Sequence, residues 1–202
     1  MRHVFARLAG YGLVLMPHWP YTFERHPVSE GGVQVTRWTD DTPSRALVVP
    51  SEPETATTSH AVDVEPGPDH PAWLVETSRF GLWWPAGFTV DSPQDRSDRT
   101  PFYLHGPEGA LIFPQGPVPA VALADPDVLV AEGQTVADRR TDSDGTTVVE
   151  LTYDHEGAAW WQTHVALRYG EDRILLLTGQ SPLHLAETVR TAIAEAVGDD
   201  RA

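Results

Sequence analysis

TTVVELTYD (146–154), AAWWQTHVALRY (158–169), RILLLTG (173–179) and SPLHLAETVRTAIAEAVG (181–198) follow one another with only short turns between them. Successive side chains of a strand point to opposite faces. Val149, Leu151 and Tyr153 therefore share one face of the first segment. In the second, Trp161, Thr163, Val165 and Leu167 lie on one face, and Trp160, Gln162, His164 and Arg168 on the other. The third is apolar on both faces from Ile174 to Leu177, the mark of a central strand covered on two sides. Tyr169 to Asp172 is the expected hairpin turn. The fourth reads as a helix, with Ser181 as N-cap, Pro182 at the first helical position and Gly198 at the end. Leu185, Val189, Ile193 and Val197 recur every fourth residue and predict its buried stripe.

Upstream, the pattern is of short strands and turns. Val4–Leu8, Leu13–Met16, Tyr21–Phe23, Val33–Arg37 and Leu47–Val49 are strand candidates, the third and fourth forming a hairpin across Glu30-Gly31-Gly32. Residues 50–71 carry five prolines with Ser, Thr and acidic residues, the composition of a linker or surface loop. The β pattern restarts with the aromatic FGLWWPAGFTV (80–90), then Phe102–Leu104 and Ala110–Phe113 around the turn HGPEG. Residues 120–145 mix apolar residues at helical spacing with Pro126 and Gly133, so a short helix near 126–132 is expected. The domain reading is a β-rich segment over 1–49, a linker or loop over 50–71 and an α+β domain over 72–198.

Charge and composition narrow the function classes. The 202 residues include no cysteine, which excludes disulfides and Cys-ligated metals. A net charge of −15 would repel a phosphate backbone or an anionic bilayer, so neither nucleic acid nor membrane is an expected partner. All 14 basic residues are Arg, whose codons are GC-rich, so a high-GC bacterial source is expected. No apolar run reaches the length of about 18 residues that a membrane span needs. The opening MRHVFARLAGYGLVLM is broken by Gly10 and Gly12 and runs into Pro17, so it does not read as a signal peptide. The expected location is cytoplasmic.

The succession of apolar strand, Trp-bearing hairpin, ILLLTG strand, Ser-Pro and closing amphipathic helix resembles the Mog1/PsbP-like fold family. In that family an opening strand carries Phe, Leu, Pro, Gly and an aromatic, here Phe80, Leu82, Pro85, Gly87 and Phe88. The closing segment would be Leu175–Thr178 followed by Ser181–Val197. The resemblance covers 72–198. It implies an α/β/α sandwich built on a mainly antiparallel sheet, preceded here by a β-rich extension. Family members act mostly as adaptors, assembly factors, photosystem subunits and chaperones of secreted effectors, so it implies a binding role.

No residue cluster names a reaction. The nine His residues include no H-x-x-x-H or H-E-x-x-H, so no metal site is expected. His155 and His164 lie in or near adjacent strands, where with Asp154 or Glu156 they could meet as ligands or as an acid–base pair; an exposed turn His and a satisfied sheet His is the expected arrangement. Asp142-Ser143-Asp144-Gly145 opens like a calcium loop, but the twelfth position is Tyr153 rather than Glu, so an Asp-Gly turn is expected. No nucleotide-binding glycine loop exists, and no cofactor is expected. What stands out is Trp83-Trp84 and Trp160-Trp161, since adjacent strand residues point both ways. One of each pair enters the core; the other lies under a helix, lines a pocket or faces a partner. The candidate binding residues are Trp83, Trp84, Trp160, Gln162 and His164. The favoured reading is a non-enzymatic, acidic protein-binding module: an adaptor, chaperone or immunity-type partner. The alternative is a protein or tailoring enzyme that holds a small hydrophobic molecule in an aromatic-lined pocket.

Overall fold

The structure, a computed structural model, describes residues 6–9, 12–15, 19–25, 32–39, 41–48, 74–77, 79–95 and 97–198. The proposed linker at 50–71 lies outside the described residues. The fold is mostly antiparallel sheet with one C-terminal α-helix packed on it. Two compact units divide the chain. One holds the described residues up to Leu104 together with 194–198; the other is His105–Ile193.

In the first unit, β1 (Ala6–Ala9), β2 (Gly12–Leu15), β6 (Leu74–Glu76) and β7 (Gly81–Trp83) form one sheet in that order, β2 and β6 running parallel. The second set pairs β8 (Thr89–Asp91) with β3 (Tyr21–Arg25), β3 with β4 (Val33–Thr39), and β4 with β5 (Thr42–Val48), all antiparallel. The aromatic stretch 80–90 thus supplies two strands to two pairing partners, because Pro85 and the positive-φ Gly87 between them cannot continue a ladder. Phe23, Val33, Val35, Leu82, Trp84, Phe88 and Val90 are buried. β9 (Tyr103–His105) falls at the division between the units.

The second unit contains the three strand segments between 146 and 182 and most of the helix that follows them. Its strands are β10 (Leu111–Pro119), β11 (Thr135–Thr141), β12 (Thr147–His155), β13 (Ala158–Tyr169) and β14 (Arg173–Pro182), ordered β11-β12-β13-β14-β10 and antiparallel throughout. β14 is central, and Leu175, Leu176 and Leu177 are all buried, as a strand apolar on both faces requires. β11 is the outer edge among the described strands, and every one of its residues is exposed. It gave no strand signal in the sequence because it has no buried face to impose alternation. The excursion between β10 and β11 makes two 3-10 turns, Ala120–Leu123 and Pro126–Leu129, in place of the expected short helix. Asp125 caps the second by accepting from the Asp127 N–H, and Pro126 fits its first position.

The helix, α1 (Ala186–Val197), starts later than its sequence signal. Ser181 is a strand residue opposite Trp161, its hydroxyl buried without a hydrogen-bond partner among the described residues, and a 3-10 turn, Leu183–Leu185, precedes the helix. Pro182 has φ −49° and ψ 142°, so its fixed φ serves an extended chain as well as a helix start. The buried stripe also differs. It runs through Ala186, Val189, Ala192, Ile193 and Ala196, whereas Val197 is 38% exposed. Steps of four residues overshoot a period of 3.6, so the fourth member rotates off the buried face.

Two devices seat the helix. Gly179 sits in mid-β14, where a Cβ would come 2.6 Å from Ile193 Cδ1 and 2.7 Å from Val189 Cγ1. Beside it Glu150, 8% exposed on β12, takes hydrogen bonds from Arg190 Nε (3.1 Å) and Nη2 (3.0 Å) and from the Trp161 indole (3.2 Å). The Arg190 guanidinium also lies 5.0 Å over the Trp161 ring, and Arg140 approaches the same carboxylate at 3.5 Å. Burial pushes the Glu150 carboxyl up, but the bonds from Arg190 and Trp161 and the charges of Arg190 and Arg140 outweigh it and hold it below the usual range.

Gly179→Ala should overpack the strand–helix contact and destabilise the protein by about 1–3 kcal/mol in urea melts. Arg190→Met should cost about 3 kcal/mol at neutral pH, because it strands a buried carboxylate. Glu150 titrates below its unfolded value, so that cost is present above the ordinary carboxyl range and is lost as pH falls through the folded one. Equal losses at neutral and strongly acidic pH would refute the ionic clamp.

Candidate functional site

The register of β12, β13 and β14 sorts the second unit's sheet into two faces. Glu150, Trp161, Thr163 and Gly179 face α1. The opposite face carries Tyr153, Leu151 and Val149 on β12, opposite Trp160, Gln162 and His164 on β13, and then Gln180 and Thr178 on β14. The sheet thus places Trp160, Gln162 and His164 in one row, away from the helix. Trp160 is half-buried, with Tyr153 tilted against it at 6.3 Å and His155 edge-on at 5.3 Å. His155 itself pairs with Ala158 at the turn, whereas His164 pairs with Val149 further along, so the two histidines do not form one site.

His164 is 7% exposed, and a hydrogen-bond chain runs through it. Gln134 Nε2 donates to Gln162 Oε1 (2.9 Å), which leaves the Gln162 amide NH2 facing His164 Nε2 (2.8 Å). With Nε2 accepting, His164 Nδ1 carries the proton and donates to Thr178 Oγ1 (3.0 Å); the tautomer follows from this network. Burial lowers the imidazole pKa to about 4, opposed by a backbone hydrogen bond at Leu129. A neutral imidazole with both nitrogens engaged and little access to solvent is a structural tie, holding the excursion onto the sheet through Gln134 and Leu129.

Two residues further along β13 this face meets a cavity of about 370 Å³. Leu123, Pro126 and Leu129 of the excursion line it together with Ala166, Arg168 and Ile174 of the sheet. Arg168 lies against Gly145, whose φ is +86°. Gly145 closes the expected Asp-Gly turn by donating to Asp142 O (2.9 Å), and Asp144 accepts from the Thr146 N–H (2.8 Å) and hydroxyl (3.0 Å). Those bonds hold the Asp144 carboxyl below its usual range. Among the described residues no group of three or more His, Asp or Glu is placed to hold a metal ion, and no helix is long and apolar enough to cross a membrane.

Trp83 and Trp84 belong to the first unit. Trp84 is core: 2% exposed, its indole N–H donating to Phe88 O (2.7 Å), with the Arg25 guanidinium 5.3 Å over the ring. Trp83 is 36% exposed, its indole against Gly198. The sequence reading passed over Gln134, Thr178, Glu150 and Arg190. Glu150 had a usable signal, since alternation puts it on the helix face, where a carboxylate needs a cationic partner. Val128 (61%) on the excursion and Val136 (42%) on β11, which their spacing placed on the apolar side of a helix, stand exposed instead, as does Val121 (81%).

No known family matches the chain, and no curated protein does. Among solved structures it is similar to that of LpqN, involved in cell envelope biogenesis of Mycobacterium tuberculosis. The identity is 18%, over 61% of this chain and 73% of that one, with a TM-score of 0.28. A likeness at that score carries no argument about function.

His164 stays neutral when folded down to about pH 4 but takes a proton near pH 6.5 when unfolded. Above pH 6.5 neither state is charged and the group adds no slope. Between pH 6.5 and 4 the unfolded chain binds the proton alone, so stability should fall by up to about 1.4 kcal/mol per pH unit. Urea melts across that window should show this slope in the wild type and its loss in His164→Gln. Parallel pH profiles would show that the imidazole is not buried neutral.

Proposed function

We propose that the protein is a non-enzymatic binding module for a protein partner, its second unit a Mog1/PsbP-like scaffold in which the 120–134 excursion stands in the place of a second helical layer. The observation that carries this reading is the inversion of polarity across that excursion. Gln162 and His164, the polar groups of the candidate face, are turned inward and saturated, whereas Val121 and Val128 stand exposed outside. Catalysis needs its polar groups presented to a substrate; docking needs apolar side chains presented to a partner. Residues 120–138 contain four acidic residues and no basic one, two of them answered by Arg139 (to Asp127, 2.6 Å) and Arg140 (to Asp138, 2.7 Å). The partner that suits this surface offers apolar side chains among basic ones.

A second reading, a small hydrophobic ligand, rests on the cavity beside Ala166, which falls within the range of about 300–1,000 Å³ typical of ligand sites.

A photo-crosslinking residue at position 121, introduced in the source cell, should capture a basic protein, and Val128→Asp should abolish the adduct. The same residue at exposed Thr191 on α1 should capture nothing comparable. Equal labelling from both positions, or none from 121, would defeat the partner reading. Native mass spectrometry of the purified protein tests the second reading by the mass of any retained small molecule.

A further inference from the structure

A cleft in the first unit has a chemistry that neither the core nor the proposed partner surface uses. It measures about 570 Å³ and is walled by Trp19 and Trp38, 39% and 37% exposed. Tryptophan at such exposure leaves a large apolar ring surface in water. Trp38 is held in place, its backbone N–H donating to Pro20 O (2.9 Å) and its indole N–H to Thr22 Oγ1 (3.1 Å). With that N–H committed, what Trp38 offers the cleft is ring surface. The rest of the lining is mostly polar: Arg37, Thr39, Asp41 and Gln94. Asp41 has φ +62°, the left-handed conformation of a tight β4–β5 connection, and sits at the cleft. Arg37 Nε is buried without a hydrogen-bond partner among the described residues.

Few ligand classes need all of these groups at once. A purely apolar ligand would strand Asp41, Gln94 and Arg37 without partners. An anion would meet Asp41, and a cation would meet Arg37. A sugar ring matches both halves. Its C–H faces are apolar and flat enough to lie on an indole, and its rim of hydroxyls both donates and accepts. Asp41 only accepts, Arg37 only donates, and Gln94 does both, so together they can satisfy hydroxyls of either polarity. We infer that this cleft is a saccharide-binding site for one or two neutral pyranose rings, with Trp19 and Trp38 as the stacking surfaces and Asp41, Gln94 and Arg37 as hydroxyl partners. The site lies in the first unit and stands independently of the partner surface assigned to the second.

The experiment uses the full chain, with glucose, maltose, cellobiose and N-acetylglucosamine as probes, read by indole NMR shifts and by tryptophan fluorescence. At least one probe should bind in the millimolar range or tighter and move the Trp19 and Trp38 indole signals while leaving Trp160 unmoved. Trp38→Ala should abolish that response. Gln94→Ala, a loop change that keeps the fold even if Trp38→Ala does not, should weaken binding about tenfold. Trp38→Phe should retain part of the affinity, since it keeps a ring. The inference is overturned if no probe at tens of millimolar shifts either indole. It is equally overturned if binding survives Gln94→Ala unchanged, or if an oligo-arginine peptide shifts the same indoles while the sugars do not.

Discussion

The second unit depends on a carboxylate that has been taken out of water. Glu150 is buried on the face of the sheet that α1 covers, and such a charge is costly unless its partners are fixed. Arg190 and Trp161 fix it, from the helix and from the neighbouring strand. Because Arg190 also lies over the Trp161 ring, one side chain sets both the rotation of the helix and its position along the strands. Apolar packing of Val189 and Ile193 on Gly179 is non-directional by comparison. It holds the helix down, while the ionic contact specifies which residue faces which.

The opposite face is organised by hydrogen bonds of a different kind. Gln134, Gln162, His164 and Thr178 form a neutral chain, each link aligned by the next. Charge on one face and neutrality on the other follow from what covers each. A helix brings an arginine whose guanidinium can reach a carboxylate. An excursion of 3-10 turns brings backbone and amide groups, which suit an uncharged imidazole. The polar row of the sheet is therefore occupied by its own hydrogen bonds, whereas the outer surface of the excursion and the Trp19–Trp38 cleft present side chains to solvent.

How much of this was legible in the sequence depended on whether a residue's partners were local. β12, β13 and β14 were plain because alternation and a fully apolar central strand leave a pattern that hydrophobic burial imposes. β11 was invisible because none of its residues is buried. The helix start was misplaced because Ser-Pro serves a strand end as well as an N-cap. The row of Trp160, Gln162 and His164 was correctly placed on one face by periodicity. Its saturation was not readable, since it rests on Gln134, 28 residues from Gln162, and Thr178, 14 residues from His164. Trp19 lies in the turn before β3 and Trp38 near the end of β4, where no motif marks either, and only the fold shows that they flank a common cleft.

The exposed edge strand β11 bears on how the protein behaves among copies of itself. An outermost strand offers unpaired backbone groups to any other strand that drifts alongside, which is how sheets stack into fibrils. Here the second half of that strand reads Asp138-Arg139-Arg140, and each of its arginines is already tied to an aspartate. A second molecule docking there would have to bury those ion pairs or break them, and it would bring the same charges with it. The cost of desolvating that charged edge disfavours a second strand docking beside the exposed valines.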